Sequence, residues 1–245
     1  MFKQLIYRQV LQVLQALNPD FLAACKIYFV DSTLLALAYQ EYRLSRDIDF
    51  LCPYGAAYSQ LRVALYDRGY NALFDRPQVH SVQFPGELKT DRYGVRFPVQ
   101  VEETILKFEI VAEGRIEFDS PIYPSWSPVP CLSVVDQVAE KLLANGDRWP
   151  DPSIDSRDLI DLAILKLKTE FPQAALDKAE AAYRCVEPLK RSLLNFQAKP
   201  NYRIRCYERL QIQSPKEIMD GIDQLAVQFD LPLSDRLGIE CDSSS

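Results

Sequence analysis

The stretch Arg43–Pro53, RLSRDIDFLCP, decides how the chain is read. Asp47 and Asp49 lie one residue apart in an otherwise apolar run of Ile48, Phe50 and Leu51. In a strand, successive side chains alternate between faces. Both carboxylates then share one face, and Ile48 and Phe50 share the other. Two like charges side by side repel, and each loses hydration when half-buried. The pattern therefore calls for a cation between them.

Working outward, the flanking segments read as an α/β unit. Residues 3–17 have helical apolar spacing and stop at Asn18-Pro19. KIYFVDST, residues 26–33, is β-rich and ends in Asp31-Ser32-Thr33, residue types that cap helices. A helix follows over 34–42, then the strand DIDFLCP, then a helix over 56–70 with Gly69 as its stop. Residues 78–112 are β-rich around the turn-forming PGELKTDRYG, and 115–132, with four prolines, are extended and irregular. After Leu132 the pattern turns helical: 133–146 with Ser133 as cap and Gly146 as stop, 155–168, 172–186 and 214–229. The expected fold class is α+β: a small mixed β-sheet core flanked by helices over 1–120, a helical bundle over 121–240 that closes the cleft, and a disordered tail over 241–245.

Composition excludes several functions. A net charge of −6 argues against a generally basic nucleic-acid binder. One stretch departs from this balance. Residues 183–210 carry seven Lys or Arg against two Glu, which reads either as a solvated helix face or as a phosphate-facing patch. Six scattered cysteines without a CxxC pair, and the single His80, leave no zinc pattern and no imidazole base for a triad. Free buried thiols are expected. No run approaches the ~18 apolar residues of a membrane span, and the N-terminus lacks a signal-peptide pattern, so a cytoplasmic protein without membrane contact is expected.

Paired carboxylates on a strand suit a hard divalent ion. Magnesium takes one or two protein carboxylates and completes its shell with water and substrate phosphates. A hydroxyl-bearing turn at a helix start, Ser32-Thr33, suits phosphate oxygens. Together these parts describe phosphoryl-group chemistry on a nucleoside triphosphate. In isolation, a D-x-D pair also occurs on ordinary exposed strand faces.

The segment VDSTLLALAYQEYRLSRDIDFL, residues 30–51, resembles the nucleotidyltransferase signature of a glycine-serine turn, a helix and a D-h-D strand. RLSRDIDF resembles the AbiEii/AbiGii-type nucleotidyltransferase toxins in particular. VVDQVAEKLLA and SRDLIDLAIL resemble two later blocks of that family, in the family's order, so that the likeness spans roughly residues 29 to 165. The resemblance implies a polymerase-β-like fold and Mg2+-dependent transfer of a nucleoside monophosphate from an NTP to a tRNA or protein acceptor. It implies a toxin held by an antitoxin partner. It makes Asp47 and Asp49 metal-binding and catalytic, Lys141 and Asp158 catalytic contributors from the helical half, and Ser32, Thr33 and Lys141 nucleotide-binding. Glu109, in ILKFEIVAE, is the candidate third metal acid, with Glu113 the lesser one. The plain reading of Lys141 is a solvent-facing helix residue, and that of Asp161 an exposed i,i+4 ion pair with Arg157.

One position departs from the family pattern. Asp31 stands where the family has glycine, a residue suited to left-handed backbone and close phosphate approach. Its charge opposes a triphosphate. The competing expectation is therefore a nucleotidyltransferase-fold binding module with impaired catalysis. A kinase-like transfer is a third reading, separated by its leaving group.

Overall fold

A computed structural model describes residues 2–75 and 80–236. The chain divides into two compact units. One comprises Met1–Glu41 and Ser45–Ser133, the other Tyr42–Leu44 and Val134–Ser245. Three residues of the N-terminal half thus belong with the helices.

The first unit holds a five-stranded sheet in the order β1-β2-β5-β4-β3. Its strands are β1 (Tyr28–Val30), β2 (Ile48–Pro53), β3 (Lys89–Thr90), β4 (Gly94–Val101) and β5 (Thr104–Glu113). β2 and β5 run parallel, and the other pairs are antiparallel, so the sheet is mixed, as expected. The helices are α1 (Leu5–Ala16), α2 (Pro19–Ala24), α3 (Asp31–Ala38) and α4 (Ala56–Arg68). Ile48 and Phe50 are fully buried. Phe50 packs against Phe29 and Phe108 at ring distances of 5.4 and 5.3 Å, and Phe97 stacks on Phe108 at 4.6 Å. Each such ring removes a large apolar area from water, which makes this aromatic face the main stabilising surface of the sheet.

Several local expectations change. Asn18-Pro19 does not only end α1. Asn18 accepts from the Phe21 N–H at 2.9 Å and Pro19 opens α2, because an N-cap followed by proline at the first helical position is a start signal too. α3 begins at Asp31 itself, so Asp31, Ser32 and Thr33 form its first turn and none caps it through a side chain. Lys89–Thr90, inside the expected turn, pairs with β4. Gly69, in the left-handed region at φ 58°, ends α4 as read. Of the β-rich segment near residue 80, position 79 lies outside the described residues, and among the described ones Gln83 makes a single bridge to Gln100.

The second unit holds α5 (Val134–Arg148), α6 (Arg157–Lys168), α7 (Gln173–Ala182), α8 (Val186–Gln197), α9 (Pro200–Leu210) and α10 (Pro215–Gln228). Gly146 lies within α5 and does not stop it. α6 and α10 approach closely: a Cβ at Gly221 would collide with the backbone carbonyl of Ala163. The expected tail, 241–245, lies outside the described residues. Among the described residues no helix is long and apolar enough to cross a membrane.

Candidate active site

In the sheet unit, Asp49 is the central carboxylate. It sits on β2 between Val30 of β1 and Glu109 of β5. Directly paired residues project from the same sheet face, so Asp49 and Glu109 lie side by side, opposite the aromatic core. Asp47 immediately precedes the strand, and both aspartates are half-buried. Burial pushes the Asp49 carboxyl up to about 8, helped by the negative charges of Asp31, Asp47 and Glu109 and opposed by Lys107. An acid held this far above its ordinary range is desolvated first of all, and has more negative than positive charge beside it.

The donor set fits a hard divalent cation: oxygen ligands only, like-charged, and partly desolvated. Magnesium commonly takes one or two carboxylates from protein, and Asp47 and Asp49 are two such groups one residue apart. Glu109 is differently engaged. One oxygen accepts from Arg96 and the other pairs with Lys107 at 2.5 Å. The ligating oxygens of Asp47, Asp49 and Glu109 do not form a group lying within 4.8 Å of one another. Glu113 is chelated by Arg115.

Asp31 occupies the left-handed region at φ 62°. This is the backbone conformation that explains glycine at the family's turn, and aspartate is among the side chains that tolerate it. The hydroxyl of Ser32 donates to Asp31 Oδ1 at 3.2 Å. Thr33 is fully buried and donates to Ser45 Oγ at 2.7 Å. Both hydroxyls are thus buried and engaged in this arrangement.

In the helical unit, Lys141 and Asp158 come together, at 3.3 Å. The ammonium of Lys141 also meets Asp161 Oδ2 at 2.6 Å. Asp158 further receives Arg148 on both oxygens, at 2.6 and 2.7 Å. Lys141 and Asp161 are buried, which excludes the solvent-facing lysine and the exposed Arg157–Asp161 pair.

The sequence offered Asp161 only an exposed pair with Arg157, and Arg43 no partner. The guanidinium of Arg43 clamps Asp161 through Nε at 2.7 Å and a terminal nitrogen at 2.9 Å, and the Tyr42 hydroxyl adds a third donor at 2.5 Å. Burial alone would raise the Asp161 carboxyl, but Arg43 and Lys141 hold it well below the usual carboxylate range. Burial and the Asp161 charge push the Tyr42 phenol up. The available signal was the i,i+3 spacing of Asp158 and Asp161 on the apolar stripe of α6.

The basic stretch 183–210 is largely consumed by structure. Arg203 is buried, donates to the carbonyls of Phe196 and Gln197, and pairs with Asp235 at 3.0 Å. Arg209 and Arg205 approach Asp155 at 3.2 and 3.8 Å, and Arg191 pairs with Glu187.

Comparison with known proteins agrees with this fold. The fold is similar to that of JHP933 from Helicobacter pylori, with a TM-score of 0.55 and 18% identity over 93% of both chains. A second H. pylori structure, provisionally assigned as a nucleotidyltransferase, matches with the same TM-score and identity over 93% of this chain and 95% of that one. No curated protein sequence matches the chain. The family described as nucleotidyl transferase AbiEii toxin, type IV toxin–antitoxin system, matches residues 12–229. With Asp47 and Asp49 at the start of β2, the left-handed turn at Asp31 and the lysine–aspartate pair of α5 and α6 all inside that span, the chain belongs to the AbiEii nucleotidyltransferase toxin family.

Proposed function

We propose that this chain transfers a nucleoside monophosphate from a Mg2+-bound NTP to the hydroxyl of a tRNA or protein acceptor, releasing pyrophosphate, and that it is the toxin of a pair with an antitoxin. The observation that carries the reading is Asp49, pushed up to about 8 by burial and by Asp31, Asp47 and Glu109. Such a cluster is costly without a cation and becomes an asset with one.

In this reading Asp47 and Asp49 hold the magnesium. When bound, that ion neutralises phosphate oxygens and lowers the barrier to attack at the α-phosphorus. The remaining work falls to the chain. Burial of Ile48 and Phe50 anchors β2, so the two carboxylates are presented from a rigid strand and lose little freedom on binding. The left-handed turn at Asp31 opens α3, whose first N–H groups would be available to a phosphate. Ser32 and Thr33 would contribute hydroxyls after exchanging their present partners. Lys141 supplies a positive charge for the triphosphate, and Asp158 and Asp161 fix the position of that charge.

A catalytically impaired binding module is the second reading. It is favoured by one observation: the Asp31 charge acts on Asp49 more strongly than any other single charge does. Incubation with four labelled NTPs, magnesium and total cellular RNA or protein decides between them. Label transfer with pyrophosphate release is expected. Nucleotide binding without transfer would establish the binding module, and release of a nucleoside diphosphate would establish a kinase-like reaction.

A further inference from the structure

Lys141, Asn145 and Arg148 stand at i, i+4 and i+7 on α5, so they share one face of that helix. The two ends of this stripe are answered within the helical unit. Lys141 meets Asp158 and Asp161, and Arg148 grips both oxygens of Asp158. The middle residue differs. Asn145 is 2% exposed, and among the described residues its amide nitrogen has no hydrogen-bond partner. The fold itself does not favour asparagine at this position. Asparagine is a weak helix former, and a buried donor without an acceptor carries the full cost of its lost hydration. Leu142 and Leu143, earlier in the same turn, are fully buried. Leucine at 145 would suit the helix and its burial better on both counts. A local conflict of this kind, inside an otherwise consistent helix, marks a residue that serves a ligand.

The chemistry of that ligand follows from what the stripe lacks. The carboxylates of Asp158 and Asp161 already receive Arg148, Lys141, Arg43 and Tyr42. The acceptor for Asn145 therefore comes with the ligand. Along the stripe it would lie between an ammonium and a guanidinium, where an anionic oxygen gains most. A neutral hydroxyl fits less well, because it brings a donor of its own that needs a further acceptor. One helical turn, about 6 Å along the axis, separates Asn145 from Lys141. A polyphosphate carries anionic oxygens repeatedly over such a distance. Resting on the nucleotide-binding part of the reading above, we propose that Asn145 is a further substrate-binding residue. Its amide donates to a non-bridging oxygen of the triphosphate, one turn of α5 beyond the oxygen that Lys141 takes. Lys141 must turn from its two acids to reach phosphate. Asn145 gives up no bond, so its whole contribution appears as affinity.

Equilibrium binding to the full chain tests this without turnover, so a failed transfer reaction and a failed assignment of Asn145 appear separately. The probes are the four Mg2+-bound NTPs and Mg2+-bound tripolyphosphate, followed by titration calorimetry. Urea unfolding of each ligand-free protein is measured alongside. Asn145→Leu is expected to weaken the NTPs and tripolyphosphate alike, about tenfold. Its unfolding midpoint stays level or rises, because the orphaned donor is gone. Asn145→Asp keeps the shape but replaces the donor with a negative charge, and is expected to weaken both probes about a hundredfold. A residue with a purely structural role gives the reverse pattern, a lower midpoint and unaltered affinity. Unaltered affinity in Asn145→Leu, or a lowered midpoint, overturns the assignment while leaving the nucleotide reading in place. Weaker NTP binding with tripolyphosphate unaffected moves the donor to the nucleoside and overturns the phosphate contact. A wild-type chain that binds neither probe removes the nucleotide reading itself, and this proposal with it.

Discussion

Asp49 and Asp161 are both aspartates set among apolar neighbours, and their surroundings are opposite. Asp49, in the sheet unit, faces Asp31, Asp47 and Glu109, and its carboxyl is pushed up to about 8. Asp161, in the helical unit, is fully buried and receives Arg43, Lys141 and Tyr42. Its carboxyl is held well below the usual range. The helical unit satisfies its buried charge from within. The sheet unit leaves its charge to be satisfied from outside. Groups left unsatisfied by the fold are where a ligand gains most, so the contrast separates the part that stabilises from the part that reacts.

The largest expected effect tests the reactive side. Asp47→Ala abolishes nucleotidyl transfer in the labelled-NTP assay while shifting urea unfolding by no more than about 0.5 kcal/mol. Persistent transfer would break the comparison at its acidic end. Next comes one isosteric change made in both places. Asp161→Asn leaves Arg43 and Lys141 without their shared counter-charge and costs about 3–5 kcal/mol by urea unfolding. Asp49→Asn removes repulsion instead, and leaves stability unchanged or higher at pH 8. Losses of similar size from both would show that the two sites do not differ as described.

A smaller effect is expected at the turn. Asp31→Gly keeps the φ of 62° without strain and removes a charge facing Asp49. It tightens Mg2+–NTP binding by about tenfold to hundredfold, equivalent to about 1–3 kcal/mol in a partly desolvated site. Titration calorimetry checks this, and weaker binding would instead make Asp31 a ligand.

The smallest is the pH response. Asp49 binds its proton more tightly folded than unfolded, where an aspartate titrates near 4. Its contribution to stability is therefore lost as pH rises from about 4 through about 8. Asp161 behaves inversely: its contribution is present above about pH 4 and lost as acid protonates it. Melting temperature against pH for Asp49→Asn and wild type separates the two. Divalent-metal affinity should climb with pH up to about 8 and then level, because binding displaces the Asp49 proton.

The sheet side was legible in the sequence because its signals are local. Alternation placed Ile48 and Phe50 opposite Asp49, whereas on β5 it only put Glu109 on one face with Lys107, and the family resemblance made it a candidate. Asp31 stood out against a short turn signature, and its left-handed backbone gives the reason. The helical side was partly hidden because its decisive pairing is not local. Arg43 and Asp161 are 118 residues apart, and nearby Arg157 offered Asp161 a simpler partner. Local punctuation also misled where one residue serves two roles. Asn18-Pro19 both closes α1 and opens α2, and Gly146 is carried inside α5 by the helix around it.

The membership of Tyr42–Leu44 in the helical unit has a consequence for synthesis on the ribosome. Arg43 leaves the exit tunnel well before the partner it clamps, since 118 residues must be added before Asp161 exists. At about 5–20 residues per second, that interval is on the order of ten seconds. Through it Arg43, in the segment leading into β2, lacks the carboxylate that clamps it, while Ser45 already has its partners Tyr7 and Thr33. A nascent chain, or one broken before α6, therefore carries the acid pair without the Arg43–Asp161 clamp upstream of it. For a toxin this ordering delays the clamp until α6 has been made, which gives a co-produced antidote time to be made as well.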